Sequence, residues 1–330
     1  MSCWAPAGET ARQRSCKGTP TSKSFRLCIA AGLAVAVTIS GMAQVAAAGS
    51  AGAATARGQS TSPEYYLALG DSAAMWNGEH SYPDVIVQRE SKEALVLDDF
   101  ACSGETTASF IAGSTCAPGG SQLDEAVSFL RQHRHHVGLV TIDIGGNDII
   151  GCGISSSNGS CVSAALKTIK KNLTKIMTAL RAAAGRTALI VGMNYYDPLL
   201  GDWLAGGKTR SQAVASTKEL VTLNKLLSGI YLKVAGAKTA NVQTAFRSTN
   251  FAKRVSSKWG RIPVAVAHAC AWLDILCQRG ESEGFGDDPN DFGAIVIAGA
   301  FVKVIGELSR PTRYEREQRQ PGSTSDDAVV

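Results

Sequence analysis

The chain has 330 residues, 45% of them hydrophobic and 18% charged, with a formal net charge of +5. That length and apolar content suffice for one catalytic-size domain plus tails. Five basic residues, Arg12, Arg14, Lys17, Lys23 and Arg26, and the acidic Glu9 all precede residue 49, so the remainder carries +1. A near-neutral chain of this kind excludes a broad electrostatic footprint for nucleic acid.

In chain order, the apolar run 27–42 follows those basic residues and leads to Ala46-Ala47-Ala48, the small-residue pattern of a secretory cleavage site. The run falls short of the ~20 residues of a spanning helix. Residues 1–48 therefore read as a signal peptide, with no transmembrane segment in the mature chain, and 49–63 as a flexible N-terminal segment. From residue 64 onward short β-rich runs alternate with helical patterns. The strands are expected at 65–69, 95–98, 139–144, 188–191 and 241–243. Helices are expected at 83–90, 123–133, 162–184, 213–234 and 291–307. Such alternation predicts a three-layer α/β/α sandwich with a central parallel sheet, as one domain over 64–308. The tail 309–330, polar and with Pro311 and Pro321, reads as disordered.

Of nine cysteines, Cys3, Cys16 and Cys28 lie in the leader. The other six, in an exported chain, imply disulfides, and their grouping favours Cys102 with Cys116, Cys152 with Cys161 and Cys270 with Cys277. Their spacing has neither the paired CxxC nor the HxxxH pattern of a metal site.

In an open parallel sheet, ligands sit outside the carboxyl ends of the strands. There the first strand runs into Gly70-Asp71-Ser72, the second into Phe100-Ala101-Cys102-Ser103-Gly104-Glu105-Thr106-Thr107, and the third into Gly145-Gly146-Asn147-Asp148. Singly each is also an ordinary turn. Together they offer a hydroxyl, an unobstructed backbone amide and an amide side chain, the parts of a nucleophile with an oxyanion hole.

These blocks resemble those of the SGNH (GDSL-type) hydrolases, which carry serine, glycine, asparagine and histidine in this order. The stretch Val191 to Pro198 and the Cys270 to Cys277 loop are similar to the family's exported esterases with three local disulfides. The resemblance covers about residues 64–308 and implies a flavodoxin-like topology, Ser72 as nucleophile, and an oxyanion hole of the Ser72 and Gly104 amides with the Asn147 side chain. It implies no cofactor and no metal.

The fourth block departs from the family. Gly286-Asp287-Asp288-Pro289-Asn290-Asp291-Phe292-Gly293 puts Asp288 where the general-base histidine belongs, and Phe285 or Gly286 where its supporting acid would fall. Loss of the base from a serine triad reduces kcat by about 10⁶, and a carboxylate near pKa ~3.9 is a weaker base than imidazole near ~6.5. His80, in the loop after the first strand, and His268 are the candidates to replace it. His133, His135 and His136 belong at the opposite edge of the sheet. Asp71 and Asp148 are expected to accept hydrogen bonds from loop amides. Trp76, Tyr195, Tyr196 and Trp203 could line the crevice or merely pack.

Two functions compete on this sequence. One is a secreted, monomeric esterase or lipase-like enzyme acting on small-molecule, lipid or glycan esters, with no nucleic-acid partner. The other is a catalytically impaired pseudo-hydrolase that binds an acyl or glycan ligand.

Overall fold

The computed structural model describes residues 64–75, 81–90, 95–114, 116–117, 120–152, 159–273, 277 and 288–309. All of them lie in the second of two units, Met1–Gly58 and Gln59–Val330. The leader, the segment 49–63, the tail from 310, and Trp76, His80, Phe285 and Gly286 lie outside the described residues.

The elements, in chain order, are β1 (Glu64–Gly70), α1 (Tyr82–Arg89), β2 (Leu95–Asp99), α2 (Ser109–Ala112), α3 (Gln122–Gln132), β3 (Val137–Asp143), α4 (Gly146–Ile150), α5 (Gly159–Ala184) and β4 (Leu189–Asn194). A 3₁₀ helix (Pro198–Ala205) then leads to α6 (Gly207–Ala235), β5 (Lys238–Asn241), α7 (Val242–Ala245), β6 (Arg254–Ser257), β7 (Gly260–Pro263), α8 (Val264–Trp272) and α9 (Asp291–Ser309).

The first five strands form one parallel sheet in the order β2-β1-β3-β4-β5, the flavodoxin-like winding. Its central strands β1, β3 and β4 are buried on both faces, so they carry almost continuous runs of buried side chains rather than alternation. Helices α1 and α9 pack together, while α3, α5 and α6 pack side by side. The two groups cover the sheet as the outer layers of an α/β/α sandwich, enclosing one core that includes Tyr66, Leu67, Ile142, Met177, Tyr231 and Phe301.

Caps set the helix entries. Ser81 and Asp84 make a reciprocal capping box at α1, and Ser121 accepts from the Asp124 amide at α3. The fifth strand lies three residues before its expected place. The Asn241 side chain accepts from the Thr244 amide and starts a helical turn at Val242, so the β-branched residue expected in the strand opens α7 instead. Helix α6 starts six residues earlier than expected, after Gly206 at φ 77°. The antiparallel β6–β7 hairpin and α8 were not expected at all.

All three disulfides form as expected: Cys102–Cys116, Cys152–Cys161 and Cys270–Cys277. Among the described residues, no helix is long and apolar enough to cross a membrane, and no group of three His, Cys, Asp or Glu could hold a metal ion.

Candidate active site

The carboxyl edge of the sheet collects the three strand-end blocks. Gly70 ends β1 at φ 137°, where a side chain is strained, and any Cβ would run into the backbone carbonyl of Asp143 on the neighbouring strand. Its amide donates to Gln122 Oε1 at 2.7 Å, and Gln122 Nε2 donates back to its carbonyl at 3.0 Å. That two-point clasp from α3 fixes the strand exit. The chain then turns through Asp71, whose Oδ1 accepts from the Ala73 amide at 3.0 Å, and presents Ser72 half-buried at the edge.

The second block turns at Gly104, which adopts φ 75°, is exposed, and has nothing within 4 Å of where a Cβ would stand. Here the requirement for glycine is conformational, and the amide is left sterically open. The Glu105 carboxylate is buried beneath it. Its Oε2 accepts from Ser114 Oγ at 2.9 Å and Gln122 Nε2 at 3.3 Å, tying this loop to the clasp on Gly70.

The third block begins with Gly145 at φ 113° and continues into α4. Asn147 Nδ2 donates to the Glu105 backbone carbonyl at 3.0 Å. A carboxamide has two N–H donors in one plane, so one is spent on orientation and the second remains for a ligand. Asp148 accepts from the Thr107 amide at 2.8 Å and from Thr107 Oγ1 at 2.6 Å. Asp71 and Asp148 thus take the hydrogen bonds from loop amides expected of them.

Below the serine lies a buried polar group that the sequence did not single out. Asp143, fully buried at the end of β3, accepts from Tyr82 Oη at 2.6 Å, and its Oδ2 lies 3.3 Å from the Asp71 amide. Asp71 Oδ2 accepts from Tyr195 Oη at 2.6 Å. Desolvation pushes the Asp71 carboxyl up to about 6, against the lowering effect of the Tyr195 and Ala73 hydrogen bonds. It raises Asp143 well above the usual carboxylate range, with the Asp71 charge adding to the effect. A carboxylate inside the apolar run Val-Thr-Ile-Asp-Ile was the available signal, since a buried acid requires partners.

Asp288 is half-buried where α9 is approached. Leu273 and Pro289 form an antiparallel bridge, the Asn290 amide donates to the Trp272 carbonyl at 3.0 Å, and Asn290 Oδ1 accepts from the Gly293 amide at 3.1 Å. These contacts fix the fourth block against α8. The Asp288 charge makes a small contribution to raising Asp71.

Of the imidazoles, that of His80 lies outside the described residues. The His136 carbonyl receives the Tyr65 amide at 2.7 Å and the His133 ring packs on Tyr65, at the amino end of β1 and the opposite edge from Ser72, as expected. His268 lies on α8 with Nδ1 3.1 Å from the Phe246 carbonyl and its ring 4.0 Å from that of Trp272. Burial lowers its pKa. Tyr195, Tyr196 and Trp203 are all buried, so they pack: Tyr195 lies against Gly146, Tyr196 stacks on Phe246, and Trp203 joins a smaller apolar cluster.

The chain matches the sequence profile of the GDSL-like lipase/acylhydrolase family over residues 68–257, a span that holds Ser72, Gly104 and Asn147 but stops before Asp288. Among solved structures it is similar to phospholipase A1 from Streptomyces albidoflavus, with 20% identity, 74% of this chain and 99% of that one covered, and a TM-score of 0.46. A psychrotrophic esterase from Pseudoalteromonas sp. matches with 15% identity, coverage of 74% and 98%, and a TM-score of 0.40. A lipolytic G-D-S-L family member from Veillonella parvula matches with 12% identity, coverage of 74% and 100%, and a TM-score of 0.43. No curated protein sequence matches.

Proposed function

Since the chain belongs to the GDSL-like lipase/acylhydrolase family, we propose that it is an exported ester hydrolase in which Ser72 attacks the carbonyl carbon of a lipid, glycan or small-molecule ester and Asp288 stands in for the missing imidazole. Ser72 Oγ bonds to that carbon as its proton passes to the Asp288 carboxylate. The negative oxygen that develops is met by the Ser72 and Gly104 amides and by the Asn147 side chain. Collapse expels the alcohol, which takes up the proton, and water then cleaves the acyl-serine.

The observation that carries this reading is the hydrogen bond from Asn147 Nδ2 to the Glu105 carbonyl. It locks a carboxamide beside the open amide of Gly104, and donors held in place before charge develops are what an oxyanion hole requires. Export is supported by the leader pattern and by the three disulfides, which persist in oxidising compartments.

A second reading rests on Asp288 itself. With a carboxylate at the base position, the crevice could bind an acyl or glycan ligand without turning it over. Hydrolysis of short and long p-nitrophenyl esters separates the two. The enzyme reading predicts wild-type turnover that Ser72→Ala abolishes and Asp288→His raises. An inert wild type that gains activity only as Asp288→His identifies the binder, and inertness of all three overturns the catalytic reading.

A further inference from the structure

The near-neutral balance of residues 49–330 conceals an uneven distribution: residues 204–273 hold eleven Lys and Arg and a single acid, Glu219. Much of this charge gathers on one surface. The β6–β7 hairpin exposes Lys253, Arg254, Lys258 and Arg261, with Trp259 at its turn 38% exposed and the Lys258 ammonium 4.5 Å from the Trp259 ring. Behind the hairpin lies an open depression of about 510 Å³ lined by Trp203, Arg210, Val214, Phe251, Arg254 and Pro263. The Arg210 and Arg254 guanidinium carbons stand 4.0 and 5.7 Å from the Trp203 ring. Arg210 Nε donates to the Trp203 carbonyl, and an Arg254 terminal nitrogen donates to the Arg261 carbonyl. Both forks are thereby held at the depression with donors to spare.

Two guanidiniums over an apolar floor match a phosphate that carries hydrocarbon. An indole at the tip of a cationic turn suits the interface between water and lipid. The segments bearing these groups all follow the carboxyl ends of β4 and β5, so they share the edge of the sheet that carries Ser72. We propose that this face docks on an anionic phospholipid surface, with a headgroup phosphate between Arg210 and Arg254 and Trp259 entering the headgroup layer. Docking of this kind needs no ester hydrolysis and stands apart from the catalytic reading. A duplex nucleic acid would use the cations but neither the apolar floor nor the protruding indole.

The test is flotation of the full chain with ether-linked vesicles, which no esterase cleaves, made of phosphatidylcholine with or without phosphatidylglycerol. Partition should rise at least about tenfold with phosphatidylglycerol, and Arg210→Gln/Arg254→Gln should remove about tenfold of that gain. Lys258→Gln/Trp259→Ser, confined to an exposed turn, should also weaken it and keeps the test readable if the first pair misfolds. Every variant carries the same leader, so differences among them report this face alone. Equal partition into both vesicles, or variants that partition like wild type, overturns the proposal. So does tighter binding to a short DNA duplex that the same substitutions abolish.

Discussion

The side chains that matter most to the candidate site are acids, and burial decides what each can do. Asp71 and Asp143 are in contact, are both buried, and have raised pKa values, chiefly through desolvation. The native state therefore binds protons that the unfolded chain releases near pH ~3.9. Stability from Asp71 is present below that value and is lost as pH rises through about 6, and that from Asp143 is lost as pH rises through its own raised pKa, because the folded state holds the extra protons. Asp143→Asn keeps an acceptor for Tyr82 Oη and removes one ionisation. It should stabilise the fold by about 1–3 kcal/mol at pH 8 and by less at pH 4. Thermal unfolding at the two pH values checks this, and an equal effect at both would show that the pair does not titrate as described. The same residues mark where sequence reading fell short. Ser72, Gly104 and Asn147 sit in short motifs with recognisable spacing, whereas Tyr82 and Tyr195 reach Asp143 and Asp71 from 61 and 124 residues away. Nothing local announces such pairs.

Among the elements, the strands and long helices were legible because both-face burial and helical periodicity leave plain patterns, and their order implied the winding. The excursion between β5 and α9 was not. Its hairpin is two four-residue strands, and α8 is apolar on all sides, so neither shows a clear period. The disulfides were readable from cysteine grouping, but their purpose emerges only in three dimensions. Cys102–Cys116 closes the loop carrying Gly104, Cys152–Cys161 ties the end of α4 to the start of α5, and Cys270–Cys277 anchors α8 to the segment that leads to Asp288. The first two staple blocks of the candidate site. Replacing both Cys102 and Cys116 with Ser should lower stability by ~3 kcal/mol through loop entropy. It should also reduce kcat more than it changes KM, because the Gly104 amide loses its fixed position. An unchanged kcat in a destabilised variant would confine the bridge to a structural role.

Taken whole, the molecule gathers its chemistry at one edge of the sheet. The Ser72 turn, the open Gly104 amide and the clamped Asn147 carboxamide follow β1, β2 and β3, and the cationic face follows β4 and β5. The departure read in the sequence falls in the fourth block, where Asn290 contacts α8 while the imidazole of His268 is engaged with Phe246 and Trp272. The central claim is therefore that Ser72 is an activated nucleophile served by Asp288. Its most direct test is the labelling rate of Ser72 by a fluorophosphonate, which requires activation but no productive substrate pose. The account predicts labelling of the wild type, none in Ser72→Ala, and at least about tenfold slower labelling in Asp288→Asn. A wild type that does not label, or an Asp288→Asn variant that labels at the wild-type rate, would contradict it.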